Sequence, residues 1–151
     1  MLGRTHLAFS FLIALYIIDI LKVNNQILFT IILLLFSIFP DIDVKSSKIS
    51  KKLRPFSYIT SLLGHRGILH TIYFPITLFL VLFILNQKLL SLAVLIGYSL
   101  HLLLDITTKK GIALLYPLSK KRIKGFIKVG SLIENILLII LIVLIIYKLI
   151  P

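Results

Sequence analysis

His101 and Asp105 lie four residues apart in an otherwise apolar run, GYSLHLLLDITTKKGIALLYP at 97–117. On a helix that spacing puts both side chains on one face, about 5–6 Å apart at Cβ. An imidazole and a carboxylate that close can hold one divalent cation or pair with each other. Neither belongs in hydrocarbon, where an aspartate near the centre of a membrane helix costs roughly 2.5–3.5 kcal/mol. Ionisable groups kept at such a cost are functional candidates.

The other chemistry-bearing residues are few: four histidines and five acids in the whole chain. His6 stands near the start. Asp41 and Asp43 follow Pro40 in Phe39-Pro40-Asp41-Ile42-Asp43, where the alternative is a solvated helix end paired to loop lysines. His65, Arg66 and His70 fall in Gly64-His65-Arg66-Gly67-Ile68-Leu69-His70-Thr71. Two histidines five apart do not share a helical face, which puts His65 in a loop and His70 in a first helical turn. Glu134 closes Ser131-Leu132-Ile133-Glu134, whose spacing also fits a capping box. Asp19, with Lys22 three residues on, is read as an interfacial pair outside the site.

The elements that must position these residues are membrane helices. The 151-residue chain is 59% hydrophobic with a mean hydropathy of +1.09, far too apolar for a water-soluble domain. Apolar runs at 7–23, 26–39, 68–85, 89–106 and 131–150 predict an all-α, polytopic protein of about five transmembrane helices, a single domain over 1–151. Pro40 ends the second run, and Pro75 is expected as a kink in the third. The segments at 44–63 and 107–129 are basic, with intermittent apolar residues that suit the interface. The run at 112–118 reads as interfacial or re-entrant.

The formal net charge is +12, but the basic residues sit between apolar spans. That pattern obeys the positive-inside rule and excludes nucleic acid as the expected partner. With no cysteine, any metal must be held by nitrogen and oxygen.

Followed back and forth across five spans, the candidates fall on one side. His6 starts the first, Asp41 and Asp43 end the second, His65 and His70 start the third, His101 and Asp105 end the fourth, and Glu134 starts the fifth. The opposite turns hold Asn24, Asn25, Gln26, Asn86 and Gln87. A mixed His/Asp/Glu set suits catalytic zinc, or manganese or iron. Eight candidate ligands exceed what one ion needs, which favours two or more, as in phosphoester hydrolysis. Asp43 and Glu134 double as candidate bases, and Arg66 offers a fork for a phosphate oxygen.

The ordered motifs, from His6 through Phe39-Pro40-Asp41-Ile42-Asp43, Gly64-His65-Arg66-Gly67 with His70, Gly97-Tyr98 with His101 and Asp105, and Gly111 with Leu115-Tyr116-Pro117, to Gly130 with Glu134, resemble the YdjM-type family across nearly the whole chain. Its members are described as membrane-bound metal-dependent hydrolases and as LexA-binding inner-membrane proteins. They are distantly similar to zinc-dependent phospholipases C and P1-type nucleases, all-helical enzymes that cut phosphoesters. Leu69 stands where the family usually has threonine, and Thr108-Lys109-Lys110 replaces a Thr-Pro-small run. Neither change removes a candidate ligand.

The expected function is therefore metal-dependent hydrolysis of a phosphoester on a membrane lipid or lipid-linked substrate, at the cytoplasmic face of the cell membrane. The alternatives are a divalent-cation transporter and a non-enzymatic anchor for a regulatory protein partner, the last suggested only by the family name.

Overall fold

The computed structural model describes residues 1–43 and 68–150, without the side chains of Ile42, Asp43 and Ile68. The expected interfacial segment at 44–63, with His65 and Arg66, lies outside the described residues. Among the described residues there are five α-helices: α1 (Gly3–Leu21), α2 (Gln26–Ile38), α3 (Tyr73–Ile84), α4 (Lys88–Ile106) and α5 (Leu132–Leu149). Short 3-10 turns occupy Phe39–Asp43 and Ile68–His70. Among the described residues there is no strand, only isolated bridges Thr108–Ile127 and Ile112–Ile123.

Helices α1, α4 and α5 are each long and apolar enough to cross a bilayer. At 13 and 12 residues, α2 and α3 reach only about 20 Å at 1.5 Å per residue, short of a core about 30 Å thick. Local chemistry explains the shortening. Pro40 cannot continue α2, and the chain tightens into the 3-10 turn that carries Asp41. At the other edge, His70 sits in a 3-10 turn ahead of α3 rather than in its first turn. Pro75 is third in α3, where its missing N–H breaks no helical hydrogen bond, so it starts the helix rather than kinking it.

Helix α4 is the centre of the bundle, with α2 and α3 packed on it. Helix α1 joins α2 to α5. Away from the site, Ala14, Ile18, Phe29, Leu33 and Ala93 form one cluster. Nearer it, Tyr98, Leu102 and Ile112 form a second, with Phe36, Phe39 and Phe74 against them. Exposed apolar side chains such as Ile133, Ile136, Ile140 and Val143 on α5 are what a lipid-facing surface requires. Asp19 does form an ion pair, but with Lys148 of α5, not with Lys22.

The α2–α4 contact is close because residue 97 is glycine. A Cβ there would lie 2.2 Å from the Leu33 carbonyl oxygen, backbone that cannot swing aside. Gly97→Val should therefore force the two helices apart and destabilise the fold by about 1–3 kcal/mol. A lowered unfolding temperature in detergent measures this.

Candidate metal centre

Three segments deliver the cluster. The turn after α2 supplies Asp41, the turn before α3 supplies His70, and the last two turns of α4 supply His101 and Asp105. One ligand atom from each of these four lies within 4.8 Å of all the others. His70, His101 and Asp105 are buried, and Asp41 is partly so. His70 Nε2 lies 4.0 Å from Asp41 Oδ1 and 3.8 Å from Asp105 Oδ2, and His101 Nε2 is also 3.8 Å from Asp105 Oδ2.

The backbone sets the orientation of His101. Its Nδ1 lies 2.8 Å from the carbonyl oxygen of Ser37. A carbonyl can only accept, so Nδ1 carries the proton and Nε2 presents a lone pair to the cluster. That Nε2 is buried without a hydrogen-bond partner. Tyr98, fully buried, donates its hydroxyl to the carbonyl of Leu69 and so ties the turn bearing His70 to α4.

His6 joins from α1. Its ring stacks on that of His101 at 4.2 Å between centroids, and its Nε2 is 3.5 Å from Asp105 Oδ1. Both ring nitrogens of His6, and the Ser10 hydroxyl one turn further along, are buried without hydrogen-bond partners. Folded proteins rarely leave such groups unsatisfied. Their concentration beside a carboxylate and two more imidazoles is what an all N/O metal centre looks like without its ion, so the donor set fits a divalent metal. The Met1 amine also reaches Asp105 Oδ1, at 2.7 Å.

Glu134 lies apart from the four. Its Oε1 accepts from the Leu2 N–H at 2.6 Å and the Thr5 hydroxyl at 3.0 Å, and its Oε2 accepts from the Gly130 N–H at 2.6 Å. The capping box is not formed, since Ser131 makes no side-chain cap. The carboxylate instead fastens the start of α1 to the start of α5. Burial, and after it the Asp105 charge, push the Asp41 carboxyl above its usual range, a cost that a bound cation would remove.

The structure thus brings together Asp41, His70, His101 and Asp105, sets His6 beside them and holds Glu134 at the N-terminal turn. The Asp43 side chain, His65 and Arg66 lie outside the described residues. Sequence reasoning missed Ser37, whose backbone does the work and whose side-chain type carries no signal. It also missed Thr5 and Ser10, and Ser10 was visible as a polar residue four after His6.

Fold and site define a helical membrane protein with a buried His/Asp group able to hold a metal ion. Residues 1–150 match the YdjM inner membrane protein family, and the chain belongs to it. It is also similar to the uncharacterized protein YvsG of Bacillus subtilis (strain 168), 33% identical over 105 residues. That match spans 68% of this chain and 66% of the relative, just under two thirds of its length. No solved structure matches.

Proposed function

We propose that the protein is a metal-dependent hydrolase that cleaves a phosphoester on a lipid or lipid-linked substrate. The observation that carries this reading is the four-residue donor group, gathered from three chain segments at one end of the bundle. Asp105 would be the shared donor of any such group, because its Oδ1 faces His6 and the Met1 amine while its Oδ2 faces His70 and His101, and we propose two or more ions. Asp41, His70, His101, Asp105 and His6 would hold zinc, manganese or iron, with Asp43 and His65 completing the set. A divalent ion there supplies Lewis acidity toward a phosphoryl oxygen and toward water.

The chain's own residues do the rest. Arg66 pairs its guanidinium with a non-bridging phosphate oxygen, and Asp43 takes the proton of the attacking water. Water adds at phosphorus, the bond to the leaving oxygen breaks, and the proton passes to that oxygen. Glu134, expected as a base or ligand, enters instead as the anchor of the N-terminal turn, since both its oxygens already accept hydrogen bonds.

The test is release of phosphate or headgroup from phospholipids and prenyl phosphates in mixed micelles, with and without chelator. Turnover by metal-loaded protein, abolished by chelation and by His101→Ala, is expected. Arg66→Lys should lower turnover while leaving bound metal in place, because lysine keeps the charge but loses the fork. No release from any substrate by metal-loaded protein overturns the hydrolase reading and moves cation transport or anchoring of a regulatory partner ahead.

Charge bias supports a site on the cytoplasmic face. Its side of the chain carries Arg4, six basic residues from Lys45 to Arg66 and seven from Lys109 to Lys128, against Lys22, Lys88 and Lys148 opposite. In this cysteine-free chain, a cysteine introduced at Ser119 should resist impermeant thiol reagents in intact cells, and one at Asn86 should react. The reverse pattern inverts the orientation.

A further inference from the structure

The loop between α4 and α5 is a shaped surface. Its two arms are laddered together. The Ile127 N–H donates to the Thr107 carbonyl, the Gly125 N–H to the Thr108 carbonyl, and Ile112 and Ile123 exchange both backbone hydrogen bonds. Gly111 (φ +58°) and Gly125 permit this approach, since a Cβ on either would lie 2.1 Å from a carbonyl oxygen of the opposite arm. Ile112 and Ile127 are buried beneath, and the Ile72 N–H bonds to the Leu114 carbonyl, fixing the loop beside the turn of His70.

The outer surface is unlike a water-facing loop. Leu118 is 84% exposed and Phe126 71% exposed. Around them all seven basic residues from Lys109 to Lys128 are exposed, with no acid anywhere between Ile106 and Ile133. Both ends of the loop are tied to helices that can span the bilayer, so it sits at headgroup level.

We propose that this loop is a docking surface for anionic phospholipid, with Leu118 and Phe126 inserted at the acyl boundary and the bases on headgroup phosphates. Charge complementarity selects that occupant. The stretch 44–67 of the sequence carries six basic residues and no acid, and a second copy would present the same positive loop. Nucleic acid matches the charge but offers no hydrocarbon for the two apolar tips. The surface is separate from the donor group and goes beyond the hydrolytic reading, because it requires neither metal nor turnover.

The chain contains no tryptophan, so Leu118→Trp in the full-length protein gives a single reporter. It is read, with chelator present, in vesicles of phosphatidylcholine alone or mixed with phosphatidylglycerol, with lipids brominated near the headgroup end of the acyl chain. Blue-shifted emission and strong quenching in the anionic vesicles, weaker in phosphatidylcholine, are expected. Replacing Lys120, Lys121 and Arg122 with glutamine should remove that difference, the docked fraction falling roughly five-fold per charge. An Ile140→Trp reporter on α5, quenched in both vesicle types, verifies insertion. Water-like emission at position 118 with normal quenching at 140 overturns the proposal. So does quenching at 118 that is equal in both vesicle types, or a blue shift in phosphatidylcholine produced by an oligonucleotide.

Discussion

His101→Ala and Asp105→Ala should each strip most of the divalent metal from the purified protein, while Asp19→Ala leaves it in place. His101 offers its unpartnered Nε2 to the cluster because the Ser37 carbonyl takes its Nδ1 proton. Asp105 faces three imidazoles, so its loss removes the donor shared by the whole group. Even partners that only orient a ligand typically change metal affinity about 10–100-fold, and loss of a ligand should exceed that. Asp19 pairs with Lys148 away from the group, so its removal controls for general damage to the helices. Metal content per protein, measured after purification in detergent, reads the effect. Equal losses in all three variants would place the metal elsewhere.

Glu134→Ala should damage the protein in a different way, by lowering stability even when no metal is bound. The carboxylate accepts from the Leu2 and Gly130 amides and the Thr5 hydroxyl, and Thr5 is fully buried. A buried donor left unsatisfied costs about 1–3 kcal/mol, which the Thr5 hydroxyl would incur, while the part-buried Leu2 and Gly130 amides add less because water reaches them. His6 follows Thr5 on α1, so a loosened N-terminal turn also slackens the His6–His101 stack. Comparing thermal unfolding of metal-free protein with and without Glu134 separates an anchor from a ligand. An anchor's loss appears in the metal-free state. A lowered melting temperature found only in the metal-loaded state would return Glu134 to the ligand set.

Much of this arrangement is legible in the sequence because hydrocarbon makes polar residues conspicuous. His101 and Asp105 stand out in a run of leucines, and their i,i+4 spacing fixes a shared face. Alternation of helix ends then draws His6, Asp41 and His70 to the same side. What the sequence does not reveal is set by contacts between distant segments. Glu134 has the spacing of a capping box, yet Leu2 and Thr5, more than 120 residues away, claim its Oε1. Asp19 has Lys22 in reach, but the packing of α5 on α1 brings Lys148 closer. The lengths of α2 and α3 depend on whether the residues at their ends stay helical or tighten into 3-10 turns. Hydropathy, which sees only apolar runs, does not register that difference.

The central claim is that imidazole nitrogen and carboxylate oxygen from this group bind a divalent metal. X-ray absorption at the metal edge of the zinc-loaded protein tests it most directly. The expected spectrum has a nitrogen/oxygen first shell at roughly 2.0–2.1 Å, no sulfur, and the outer-shell scattering of more than one imidazole, reduced in His101→Ala. A spectrum without imidazole scattering, or one unchanged by His101→Ala, would contradict the claim.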